Sequence, residues 1–101
     1  MLVVLTTTSD HEEAEKLASG LVESRLAACV QILPKMASIY FWEGKVQKEG
    51  EHLLLIKTLP DKYAAVEKFI LERHSYETPE IIALPVNKAS SGYLSWLENI
   101  L

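Results

Sequence analysis

Three side chains in this sequence carry donors suited to a divalent or soft metal ion: Cys29, Glu51 and His74. A thiolate is a soft ligand for Cu(I) and a borderline one for Zn(II), imidazole suits copper or zinc, and a carboxylate favours harder cations. The three lie far apart in sequence, and no pair of histidines has zincin or zinc-finger spacing, so any such site must be assembled in space. Each residue also has a plainer reading. Cys29 follows two alanines after an apolar helix pattern, where a free cysteine packs as a small hydrophobe. His74 falls near the end of a second helix pattern, where it could cap the helix and pair with Glu77 or Glu80. Glu51, Lys57 and Tyr76 are polar groups beside apolar strands, and a satisfied buried network accounts for them. The rival is a cleft between subunits, with Lys57 on the side of an anion and Glu51 on the side of a cation. His52 alternates with a strand and is expected to face a neighbouring copy, whereas His11 starts a helix and is expected to be solvated.

Catalytic patterns are missing. Gly44 and Gly50 lack the spacing and the lysine-serine ending of a phosphate loop, and no G-x-S-x-G elbow occurs. A Cys29–His74 dyad would need hydrogen-bond reach that nothing in the sequence supplies. The chain therefore reads as a non-enzyme.

Size and composition set the frame for these residues. The sequence has 101 residues, of which 49% are apolar, too many for a disordered chain. The length suits a single domain over residues 1–101, and a domain near this size buries only about two-thirds of its unfolded surface. The formal net charge is -4 with the signs well mixed, which argues against nucleic acid as a partner. Lys45 and Lys48 are diluted by Glu43, Glu49 and Glu51 and read as a solvated hairpin. The opening MLVVLTTTSD has no basic leader and is too short to span a membrane, so it reads as a strand. A single cysteine suits a reducing compartment such as the cytoplasm.

The elements that must position the candidates follow from periodicity. Leu2 to Thr8 is a β-branched, apolar strand. Ser9 to Glu12 spells a capping box, and Ala14, Leu17, Ala18, Leu21 and Val22 form one helical face behind it. Val30 to Leu33 is a short strand interrupted by Pro34 as an edge or bulge. Ala37 to Trp42 resumes it, Gly44 and Gly50 mark the turn region, and His52 to Thr58 returns antiparallel. Pro60 opens a second helix whose inner face is Tyr63, Val66, Phe69 and Ile70. Glu80 to Val86 is a further strand, and Tyr93, Leu97 and Ile100 with Trp96 alongside form a short final helix. The order closes most simply as a ferredoxin-like α+β fold, a split β-α-β sandwich with an antiparallel sheet and an added C-terminal helix.

That closure puts both main helices on one face of the sheet. Leu53 to Ile56 and Ile39 to Trp42 are nevertheless apolar on both parities, so the other face needs cover too. Burying one Leu or Ile is worth about 2 kcal/mol. Self-association through the open face and the hairpin is therefore expected, in a closed assembly rather than a fibre. Tyr40, Trp42 and Trp96 are expected to pack at or near those contacts.

The segments ESRLAACVQI, SIYFWEGKV, LLLIKT, HSYETPEIIALPV and GYLSWL occur in that order. Together they resemble the CutA family of divalent-cation tolerance proteins over essentially the whole chain. The resemblance implies a ferredoxin-like fold, a compact homotrimer whose hairpins extend the sheets of neighbours, and a part in tolerance to copper and other divalent cations. It implies Cys29 in the family's LAAC pattern and His74, Tyr76, Glu77 and Pro79 in its His-x-Tyr-Glu-x-Pro pattern, with copper or zinc as bound cation and no cofactor needed for folding. Gln31 and Ser75 depart from the Asn and Pro frequent at those places, and further cysteines of some bacterial members are missing. The alternative is a structural trimer, or a signalling trimer of the PII kind, that holds a small anion or a protein partner; no membrane partner is expected.

Overall fold

The computed structural model describes residues 1–101. Its elements run β1 (Leu2–Thr8), α1 (His11–Glu23), β2 (Cys29–Ile32), β3 (Met36–Trp42), β4 (Lys45–Thr58), α2 (Tyr63–Arg73, after a 3-10 turn at Pro60–Lys62), β5 (Ile82–Pro85) and α3 (Ser91–Ile100). The sheet order is β2-β4-β1-β5, with β3 paired to the outer half of β4, and every pairing is antiparallel. This is the expected ferredoxin-like α+β arrangement.

Strand parity divides the sheet into two faces. Val4, Leu54 and Ile56 point towards the helices and pack against Ala14, Leu17 and Leu21 of α1 and Val66 and Ile70 of α2. The alternate positions Val3, Leu5, Leu53 and Leu55 point the other way, since side chains reverse with each strand residue. No helical layer covers that second face along its length. Near Lys57 the third helix reaches it, with the Lys57 Nζ 5.8 Å from the centroid of the Tyr93 ring. The two helices on the covered face approach closely. A Cβ on Gly20 would lie 2.6 Å from Phe69 Cζ, and the Arg73 guanidinium stacks 3.7 Å from the Phe69 ring centroid.

One strand links the core to an outlying arm. The inner half of β4 pairs on both sides, with β1 and with β2, whereas the outer half from Lys45 to Glu51 pairs with β3 alone. The resulting hairpin extends the molecule to 45 × 25 × 23 Å. On its helix side Ile39, Phe41 and Val46 are 68%, 71% and 69% exposed.

Four sequence expectations need correction. The α1 cap is Asp10, not Ser9: Asp10 Oδ1 accepts from the Glu13 N–H at 2.7 Å. Both residue types can cap, and neighbouring positions here carry both. Gly50 is not a turn residue but a mid-strand position opposite Ala37; the turn is confined to Glu43 and Gly44, both with positive φ. Gly50 instead makes room for the Lys35 side chain, which crosses its empty Cβ position. The fifth strand is shorter than Glu80 to Val86. His74 approaches Glu13 of α1, at 3.7 Å, rather than Glu77 or Glu80.

Candidate functional site

Where β4 leaves the core, the uncovered face of the sheet continues into a cleft of about 680 Å³. Its floor is one face of the hairpin. Ser38, Tyr40 and Trp42 of β3 lie in register with Glu49, Gln47 and Lys45 of β4, and Glu51 follows on the same face opposite Met36. Its wall is the segment after α2, which contributes Tyr76, Glu77, Thr78 and Glu80. The lining includes four carboxylates and no lysine, arginine or histidine.

A chain of hydrogen bonds holds that wall in place. The C-cap residue His74 bonds through its backbone N–H to Ile70 at 2.8 Å. Its side chain is completely buried. Nε2 donates to the Thr7 carbonyl at 2.6 Å, and Nδ1 accepts from the Tyr76 N–H at 3.0 Å. A carbonyl can only accept and an amide N–H can only donate, so these partners assign the neutral tautomer protonated on Nε2. The Tyr76 ring leans on the imidazole at 4.8 Å. The Tyr76 hydroxyl donates to Glu51 Oε2 at 2.9 Å. Ser75 is fixed from the other side, its N–H and hydroxyl both donating to the Glu13 carboxylate at 2.7 and 3.0 Å. Sheet, both main helices and cleft wall are thus tied through three consecutive residues.

The electrostatics follow from this enclosure. Burial, and then the hydrogen bond and charge of Glu51, push the Tyr76 hydroxyl well above its ordinary value, so it remains a donor across the physiological range. Desolvation, reinforced by Glu49, also raises Tyr40. Glu51 is only 8% exposed. Tyr76 is the one side chain that hydrogen-bonds it, and none of the ion pairs in the molecule includes it.

The structure sorts the residues singled out above into two groups. Glu51, Tyr76 and His74 come together at the base of the cleft, and Tyr40 and Trp42 line its outer part. Cys29, Lys57 and Trp96 gather elsewhere. Cys29 pairs in register with Lys57, six positions along β4 from Glu51, which is about 20 Å at the rise of a strand. Lys57 donates to Gln31 and stands over Tyr93, whose ring lies 5.5 Å from that of Trp96. Cys29, His74 and Glu51 therefore do not converge within a subunit, and no three histidine, cysteine, aspartate or glutamate side chains group closely enough to hold a metal ion. Both His74 ring nitrogens are already engaged. His52 Nδ1 lies 3.1 Å from the Leu33 carbonyl oxygen, and its ring meets that of His11 edge-on at 5.2 Å. His11 also sits 3.1 Å from Glu15.

Glu49 and the bond from Glu13 to Ser75 were missed in the sequence. The first was legible in principle: Glu49 shares its parity with Glu51 and with Ser38, Tyr40 and Trp42 across the hairpin. In the sequence it stands out only as a charge diluting the lysines. The second joins residues 62 positions apart, and no local pattern announces it.

The whole architecture has close counterparts. The family described as CutA1 divalent ion tolerance protein matches residues 2–100. "Protein CutA, chloroplastic" of Arabidopsis thaliana is 44% identical over 97% of this chain and 54% of its own length. This chain thus spans about half of that relative. "Divalent-cation tolerance protein CutA" of Pectobacterium atrosepticum is 43% identical over 95% of this chain and 87% of its own. The structure of the Thermus thermophilus divalent cation tolerance protein Cut A1 superposes with a TM-score of 0.93 at 44% identity, covering 96% of this chain and 95% of that one. With every strand and helix inside the matched range, the chain belongs to the CutA1 divalent ion tolerance protein family.

Proposed function

We propose that this chain acts in divalent-cation tolerance and the response to metal ions as a non-catalytic homotrimer that binds divalent metal, copper or zinc, at its subunit boundaries. The observation that carries the reading is the acidic cleft running from the buried Glu51 out along an arm with exposed apolar flanks. An anionic surface attracts divalent cations. Relatives named for divalent-cation tolerance, at similar identity across the full length of this fold, support the same role.

The ligands of a tight site are not gathered within one subunit. Donors from neighbouring copies would complete it, with Cys29, Glu51 and His74 as candidates. Of these, Glu51 is the best placed, because it faces the cleft and has no cationic partner. His74 would first have to leave Thr7 and Tyr76. The free Cys29 supports a reducing compartment, the cytoplasm. A small anion held at Lys57 is less well supported, because that lysine is engaged by Gln31 and Tyr93.

Titration of copper and zinc into metal-free protein tests the proposal, with sedimentation run alongside. The expected result is a trimer that binds metal more weakly in Glu51→Gln and Cys29→Ser. Binding no tighter than that of a generic surface carboxylate, unchanged by either substitution, overturns it.

A further inference from the structure

We propose that the cleft between the β3–β4 hairpin and the segment after α2 is a binding site for an elongated organic cation, a protonated di- or polyamine. This is the same acidic cleft on which the metal-binding reading rests, and the inference names a second class of cation for it.

Three observations point this way. The first is size. At about 680 Å³ the cleft falls in the range of small-molecule pockets and is far larger than a metal ion requires. A directly bound Mg²⁺ or Ca²⁺ needs several oxygens converging at about 2.0–2.6 Å. The carboxylates here are spread out instead: Glu49 and Glu51 are two positions apart on one strand face, about 7 Å at strand rise, and Glu77 and Glu80 stand on the opposite wall.

The second is the combination of surfaces. Trp42 and Tyr40 lie on the same hairpin face as the carboxylates, with the aromatic end, where Lys45 stands opposite Trp42, towards the tip and the acidic end towards the core. The face from Trp42 to Glu51 is about 20 Å long by strand rise. Aromatic faces attract ammonium groups and accept the methylene chain between them, while carboxylates accept hydrogen bonds from each ammonium. A bare metal ion uses only the second property.

The third is Glu51 itself. It is more than nine-tenths buried, its Oε2 accepts from Tyr76, and no cationic side chain of this chain neutralises it. A buried charge without a counter-charge is costly. Tyr76, held by His74 and thereby by Thr7, keeps this carboxylate at the inner end of the cleft. An ammonium group is the complement that the position lacks.

Calorimetric titration of the full chain in its native assembly, with spermidine and 1,4-diaminobutane as probes and 1,4-butanediol and Mg²⁺ as controls, tests the inference. The amines are expected to bind, spermidine tighter, with the diol inert and Mg²⁺ weak. Glu51→Gln keeps an acceptor for Tyr76, so the wall stays in place, yet it should weaken spermidine by about tenfold or more. Trp42→Ala should weaken it by about threefold to tenfold, and Glu49→Gln, at an outer position of the cleft, serves as a variant with little risk to folding. No amine binding, or binding equal in all three variants and to the diol, overturns the proposal; this includes the case in which a lysine from a neighbouring copy already fills the cleft. Copper and zinc titrations on the same preparations separate the two readings. Metal binding without amine binding removes this inference alone, and amine binding without metal binding removes the metal reading alone.

Discussion

The two halves of β4 are one strand under two different regimes. From Leu54 to Lys57 it has a hydrogen-bonded neighbour on each side, and Leu54 and Ile56 are fully buried beneath the helices. From Lys45 to Glu51 it has a single neighbour, and the apolar residues it carries or meets, Val46, Ile39 and Phe41, lie open. An isolated two-stranded ribbon is marginal in water, and exposed apolar clusters mark contact surfaces. The inner half is therefore stabilised by its own chain, and the outer half leaves its apolar residues uncovered.

Substitutions can break that contrast. Leu54→Ala should cost about 2–5 kcal/mol in denaturant unfolding, the range for emptying a packed core position. Phe41→Ala should leave the core intact but shift sedimentation towards smaller species and make the unfolding midpoint depend on protein concentration. Equal losses from the two, with no change in sedimentation, would show that the arm is part of the core. Gly20→Ala comes next. It forces a Cβ against the Phe69 ring and should cost about 1–3 kcal/mol by overpacking, again by denaturant unfolding.

The junction between the halves sharpens the comparison. Tyr76→Phe removes the only side-chain donor to Glu51 and should cost about 1–3 kcal/mol, whereas Glu51→Gln should cost less because an acceptor remains. Tyr76 also predicts a pH signature. Its folded-state value is raised above the ordinary 10.0, so the folded protein holds the proton more tightly than the unfolded chain. That contribution is complete below pH 10 and is lost as pH climbs towards the folded-state value. Wild type should therefore lose stability above about pH 10 more steeply than Tyr76→Phe, and parallel curves would remove Tyr76 as the cause. The smallest effect belongs to Gly50→Ala. The Cβ there meets only the flexible end of Lys35, and the melting curve should move by less than about 0.5 kcal/mol.

Much of this is legible in the amino-acid sequence. The order of elements and the double-sided apolar run at Leu53 to Ile56 follow from parity and periodicity. The cap at Asp10 lies one residue beyond the expected Ser9 because neighbouring positions carry equally suitable types. Gly50 misled because glycine usually marks a turn, whereas here it admits a crossing lysine. His74 was harder. A histidine at the end of a helix can cap, ligate or titrate, and its actual partners, the Thr7 carbonyl and the Tyr76 N–H, are backbone groups. Residue types say nothing about where a distant carbonyl will point. The cleft was half visible: Glu51 and Tyr76 were singled out, but the sign of its charge required knowing that Glu49 shares their side.

Since β4 runs unbroken from the core into the hairpin, the electrical character of the groove is a matter of odd and even. Odd positions 47, 49 and 51 present Gln, Glu and Glu to it, while even positions 46, 48 and 50 hold Val, Lys and Gly. Sliding the arm by a single residue would take Glu49 and Glu51 out of the groove and bring Lys48 in, leaving only Glu77 and Glu80 of the opposite wall as carboxylates. The inner half forbids that slide, because the same shift would turn Leu54 and Ile56 out of the protein. The packing of the core thus dictates, from a distance, how much negative charge the groove carries.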